Sequence, residues 1–143
     1  IVDPKGTNWM KYAGADYITP NLKEINAVLS DPIRNEDAPV EQAAHDVMKR
    51  FHLGSIIVTR SEAGLSLICE GEIKHIPTKA QEVFDVSGAG DTVIAVFAMG
   101  IAGGIAPADS CCLANLAAGV VVAKLGTYAV SREELLKALE KEK

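Results

Sequence analysis

The sequence predicts a layered α/β fold with a mostly parallel sheet, flanking helices and one β-hairpin. Three observations carry this reading. Short β-branched or aromatic runs alternate with helical patterns, and "SIIVT" at 55–59 is the clearest strand. Helix start signals recur between those runs, at "NLKE" and "SREE". The stretch "GLSLICEGEIKHIP" reads as a hairpin around Glu70-Gly71-Glu72. No repeat or linker interrupts the alternation, so the chain reads as one layered domain.

The elements follow in order. Ile1–Val2 read as the tail of a buried strand and Asp3-Pro4-Lys5-Gly6 as a turn. A helical turn is expected over residues 9–13, and a short strand in "DYITP" ends at Pro20. Asn21 is placed to cap a helix over residues 22–29, with Glu24 completing a capping box. Pro39 suits the first position of the next helix. There Val40, Ala43, Ala44, Val47, Met48 and Phe51 share one face, and Gly54 closes the helix. Further helices are expected over residues 89–102 and from Pro107 to Leu125, the second stopping at Gly126. "TYAV" is a short extended piece. Ser131 and Glu134 form a capping box for the last helix, which runs to Glu140 before a solvated, frayed "EKEK". A domain seldom starts inside a strand, so the sequence is expected to be part of a longer chain. Its cut sheet edge would favour self-association as a dimer or larger species.

Composition narrows the function classes. The 143 residues are 48% hydrophobic and 23% charged, as in a globular domain. A net charge of −5 excludes a broad nucleic-acid-binding face. No apolar run approaches the roughly 20 residues that span a bilayer, and nothing marks secretion or a membrane. Cys69, Cys111 and Cys112 contain no C-x-x-C and read as reduced, buried thiols, which points to the cytoplasm. His45, His52 and His75 are scattered without ligand spacing.

In an open α/β sheet, ligands bind where strands lead into helices. Four loops there carry more polar residues than their turns need. In "DVSGAGD", residues 85–91, Gly88, Ala89 and Gly90 let backbone N–H groups approach an anion at a helix N-terminus. Asp91 beside them fits a general base that takes a proton from an attacking hydroxyl. Helix capping by Asp85 or Asp91 is an equally open alternative. In "NLKE", Asn21 and Glu24 lie one helical turn apart and can both face a metal–phosphate group, although the capping box alone accounts for both. In "TRSEAG", the polar cluster Thr59, Arg60, Ser61 and Glu62 before Gly64 fits a nucleotide edge or a solvated loop equally well. In "DPKG", Lys5 offers a point charge to a phosphate, or is simply exposed. G-x-x-x-x-G-K-[ST] and a strand-borne G-x-G-x-x-G are absent, which disfavours a P-loop enzyme and a dinucleotide-binding domain.

Together and in this order, the loops resemble the ribokinase-like (PfkB) carbohydrate kinase family. "DVSGAGDTVIAVF" is similar to its C-terminal signature, "NLKE" to its N-x-x-E motif and "TRSEAG" to its nucleotide loop. "DPKGTNWMKYAGADYITPNLKE" and "LANLAAGVVVAKLGTYAVSREEL" resemble its heptose-7-phosphate kinase subgroup, over essentially the whole chain. Val96 departs from the general signature, which prefers Ala or Gly there, although the subgroup resembles this chain at that position.

The resemblance implies that residues 1–143 are the nucleotide-binding and catalytic C-terminal part of a sugar kinase domain, without its N-terminal part. It implies Asp91 as catalytic base, with Gly88, Ala89 and Gly90 as the anion hole. It puts Asn21 and Glu24 on Mg²⁺ and the ATP phosphates, with Lys5 approaching those phosphates. Thr59, Ser61, Glu62 and Gly64 would line the nucleotide site, and Asn115, Ala118 and Gly119 the adenine pocket. A monovalent cation such as K⁺ beside Asp85 and Ser87 is left open. The implied reaction carries the ATP γ-phosphoryl to heptose 7-phosphate, giving a 1,7-bisphosphate for ADP-heptose and lipopolysaccharide precursor synthesis. A non-catalytic nucleotide-binding or assembly module, or a kinase of another sugar or nucleoside, are the alternatives.

Overall fold

Trp9, Ile18, Ile25, Val40, Phe51 and Ile56 meet in one fully or almost fully buried cluster, and the elements that carry them define the first of two units. The computed structural model describes residues 1–79 and 83–142, and divides into Ile1–Pro77 and Thr78–Lys143. The expected fraying of the C-terminus at Lys143 falls outside the described residues.

The first unit holds the sheet. β1 (Tyr17–Ile18) pairs parallel with β2 (Ser55–Thr59), which pairs antiparallel with β3 (Leu65–Cys69), and β3 antiparallel with β4 (Glu72–Ile76). The strand order is β1-β2-β3-β4, and Val2 bridges to Ile18 in parallel on the outer side of β1. The layered α/β class and the hairpin at Gly71 are as expected, while pairing among the described strands is mixed. Only residues 60–64 separate β2 from β3, and a parallel crossover needs a dozen or more. The chain therefore turns straight back, and β2 joins the hairpin in one meander. Ile56, Ile57 and Val58 of β2 are all fully buried. Ile56 and Val58 join the core cluster, while Ile57 alternates to the opposite face of the sheet.

Two helices cover the core. α1 (Leu22–Val28) starts from the expected capping box, with Asn21 Oδ1 accepting the Glu24 N–H at 2.8 Å and Glu24 Oε2 accepting the Asn21 N–H at 2.9 Å. α2 (Asp37–Phe51) buries the predicted face, and its larger apolar side chains, Val40, Val47, Met48 and Phe51, contribute roughly 1.5–3 kcal/mol each. It begins two residues before Pro39, which is tolerated in a first turn whose N–H groups have no intrahelical acceptor. It ends at His52, which takes the left-handed conformation (φ 54°), not at Gly54. Gly54 has another reason to be small: a Cβ there would lie 2.8 Å from the Asp16 carbonyl oxygen. A 3-10 turn over Trp9–Tyr12 inserts Trp9, whose Nε1–H donates to Gly6 O at 2.8 Å.

The second unit is helical. α3 (Ala89–Ala102) packs on α4 (Pro107–Val122), and α5 (Arg132–Glu140) contacts α4. Val93, Val96 and Phe97 on α3 are buried, as are Ala114, Ala117 and Val121 on α4. α3 and α4 approach closely at Gly100, where a Cβ would meet Ser110 Oγ at 2.5 Å. α4 stops three residues short of the expected Leu125. There the Val122 carbonyl accepts N–H groups from Phe84 (2.8 Å) and Asp85 (3.2 Å). The segment 127–130 is irregular, and the second expected capping box, Ser131 with Glu134, is present. Of the three cysteines, Cys111 is buried as expected, whereas Cys69 and Cys112 are partly exposed. No helix among the described residues is long and apolar enough to cross a membrane.

Candidate functional site

Three of the four predicted loops meet in the first unit. Lys5 follows the Val2 bridge, and its backbone N–H donates to the Tyr12 hydroxyl at 3.1 Å, which steadies the turn. Its Nζ reaches Glu24 Oε1 at 2.9 Å and Asp3 Oδ2 at 3.0 Å. The Glu24 hydrogen bond, then that of Asp3, raises the lysine pKa and keeps the ammonium charged. Glu24 therefore has two attachments, one oxygen on the helix cap and one on Lys5.

The end of β2 runs beside the same cap. The Thr59 N–H donates to Pro20 O at 2.9 Å, and Asn21 and Thr59 form a parallel bridge. Lys5, Glu24, Asn21 and Thr59 thus lie at one end of the sheet, where strands deliver their loops. Ser61 and Glu62 are exposed in the following 3-10 turn, and Gly64 closes it in a conformation (φ 83°, ψ −128°) open to glycine. Gly64 O accepts the Arg60 N–H at 2.8 Å.

The fourth loop lies in the second unit. Gly88 takes the left-handed conformation (φ 78°) as N-cap of α3, so Ala89, Gly90 and Asp91 form its first turn. First-turn N–H groups have no intrahelical acceptor and face the positive end of the dipole. The Ala89 N–H is turned onto Val86 O at 3.2 Å. Gly90 and Asp91 are exposed, and a Cβ at Gly90 would have nothing within 4 Å. Asp85 secures the approach to the helix: Oδ1 accepts the Ser87 N–H at 2.8 Å and Oδ2 the Gly126 N–H at 3.1 Å. The Ser87 side chain, the Ser87 N–H and the Gly126 N–H hold its carboxyl below the usual carboxylate range. Asn115 is buried on α4, with Ala118 and Gly119 one turn on along the same face.

Arg60, read from the sequence as part of a polar cluster at a nucleotide edge or in a solvated loop, instead turns inward, and its partner Asn35 was not singled out. Arg60 is 3% exposed and bonded to Asn35, Asp37 and Ser66, with His75 and Glu41 extending the chain of contacts. A charged residue directly after a buried strand was the available signal; nothing local marked Asn35. Among the described residues no group of three or more His, Cys, Asp or Glu side chains could hold a metal ion.

Comparison with known proteins adds to this geometry. The pfkB family carbohydrate kinase profile matches residues 1–134. The bifunctional protein HldE of Trichlorobacter lovleyi is 51% identical over 143 residues, 99% of this chain and 29% of that protein. HldE of Aeromonas salmonicida is 49% identical over 140 residues, again 29% of its length. The chain thus spans less than a third of these curated relatives. Among solved structures, the ribokinase of Thermotoga maritima has a TM-score of 0.79 and 30% identity, covering 87% of this chain and 42% of that one. Arabidopsis thaliana ribokinase, solved with ribose and ATP, has a TM-score of 0.79 and 25% identity, covering 87% of this chain and 41% of its own.

Proposed function

Because the chain belongs to the pfkB family of carbohydrate kinases, we propose that it carries the nucleotide-handling and catalytic residues of an ATP-dependent sugar kinase, acting on heptose 7-phosphate. The observation that supports this most is the 2.9 Å contact between Lys5 Nζ and Glu24 Oε1. It ties two separate motif loops together beside the end of β2, and a capping box alone does not require it.

The donor set fits magnesium bound through phosphates. Hard cations take oxygen ligands, and magnesium keeps several waters rather than filling an all-protein cage. Glu24 keeps lone pairs beyond those given to Lys5 and the Asn21 N–H. Magnesium, when bound, neutralises charge on the phosphates. Lys5 adds a point charge; Thr59, Ser61, Glu62 and Gly64 are the nucleotide residues of the first unit, and Asn115, Ala118 and Gly119 are those of the second. A potassium ion beside Asp85 and Ser87 fits a carboxylate held ionised there.

The anomeric hydroxyl of the sugar gives its proton to the Asp91 carboxylate as its oxygen bonds to the γ-phosphorus. The bond from that phosphorus to the bridging oxygen breaks, and ADP leaves. Gly88 and Gly90 give close approach, and N–H groups at the α3 N-terminus face charge on the phosphoryl oxygens. Ala89 completes that turn. Cysteines outside any disulfide fit a reducing, cytoplasmic setting. Exposed Met99, Leu125 and Leu136 fit a self-associating protein, and a monodisperse monomer by light scattering would count against that.

The test is ADP release by the full-length protein with ATP, magnesium and a panel of sugars. Release that requires heptose 7-phosphate supports the reading. Release driven equally by other sugars or nucleosides would remove the substrate assignment, and none with any acceptor would remove the kinase.

A further inference from the structure

The Ser61–Gly64 loop is held from beneath by a buried cation. The Arg60 side chain turns into the first unit, where a guanidinium must find acceptors for its donors. Nε donates to Asn35 Oδ1 at 2.9 Å, and Nη1 donates to Asp37 Oδ1 at 2.6 Å and Ser66 Oγ at 2.9 Å. His75 Nδ1 lies 3.3 Å from Nη1 and 2.8 Å from Ser66 Oγ. On its other side, His75 Nε2 lies 2.7 Å from Glu41 Oε1.

Asn35 joins this network to the loop. Its Nδ2 donates upward to Arg60 O at 3.0 Å and to Glu62 Oε1 at 3.2 Å, while its Oδ1 receives the guanidinium below. The loop needs such a grip. Ser61 has a positive φ of 51°, which costs a non-glycine residue on the order of 1 kcal/mol and persists only where the surroundings impose it.

We propose that Asn35, acting through Arg60 and Glu62, is a positioning residue for ATP: it holds the 61–64 loop in the one conformation that receives the nucleotide. This rests on the reading of that loop as part of the nucleotide site. Asn35 itself touches no substrate, and its effect is on nucleotide binding rather than on the phosphoryl-transfer step.

Asn35→Asp separates the two grips. A carboxylate still accepts the Arg60 Nε–H, so the buried cation keeps its partners. The donor to Arg60 O and Glu62 is lost, and a like charge faces Glu62. In the full-length protein, KM for ATP should rise about tenfold, the effect of losing two hydrogen bonds of ordinary strength. KM for the sugar, the thermal midpoint and kcat should change little. An unchanged KM for ATP in a parent that uses ATP would overturn this inference alone. A variant that unfolds, or weakens both substrates alike, would assign Asn35 to stability and overturn it equally. A parent protein with no use for ATP would overturn the functional reading and this inference with it.

Discussion

Lys5 Nζ and Glu24 Oε1 stand 2.9 Å apart across 19 residues of sequence, so the turn after the first extended segment is pinned to the first turn of α1. Glu24 is thereby more than the third residue of a helix cap.

Glu24→Gln separates its two jobs. Glutamine also completes a capping box, so the thermal midpoint should barely move. Loss of the charge should raise the magnesium concentration for half-maximal turnover about fivefold, because hydrogen bonds to charged groups exceed neutral ones by about 1 kcal/mol. A magnesium titration checks this, and an unchanged requirement would return Glu24 to capping alone.

Two glycines on α3 should respond in opposite ways. A Cβ at Gly90 meets nothing within 4 Å, so Gly90→Ala should keep or gain stability, by up to about 1 kcal/mol. Its turnover should fall if, as proposed, the phosphoryl approaches at Gly90. Gly100→Ala drives a Cβ to 2.5 Å from Ser110 Oγ and should cost about 1–3 kcal/mol. Thermal melts and turnover assays on both variants check the contrast.

Acid should loosen the end of the chain over a defined window. The Ser131 N–H, then the Tyr128 hydroxyl, lower the Glu134 carboxyl from 4.5 to about 2. A depressed carboxyl contributes stability above its unfolded value, and that stability is lost as pH falls through the folded one. Glu134 thus contributes fully above about pH 4.5, with the loss falling between there and about pH 2. Acid titration of Glu134→Gln, followed by circular dichroism, should show a shallower loss in that window than the parent shows.

Local chemistry was legible in the sequence and long-range chemistry was not. The caps at Asn21 and Ser131, the buried face of α2 and the span of α3 depend on neighbours within a few residues, and all were as expected. The end of α4 depends on Phe84 and Asp85 taking the Val122 carbonyl, some 40 positions away in the chain. The His52 cap is a non-glycine in the left-handed region, which no turn rule selects. For the candidate site, the motif residues were readable because phosphate chemistry repeats small glycines and single carboxylates at fixed spacings. Asn35 carries no such pattern: its partners Arg60 and Glu62 are 25 and 27 residues away, and only the return of β2 into β3 brings them to it.

Asp91 on the first turn of α3 is the group on which the proposed chemistry depends, and turnover of the full-length Asp91→Asn protein tests it most directly. Its side chain is exposed, so the variant should fold as the parent does and bind ATP as tightly. Heptose-dependent ADP release should fall about 10²- to 10⁴-fold, the usual worth of a positioned general base. Release within twofold of the parent rate would contradict the assignment of Asp91 as the base.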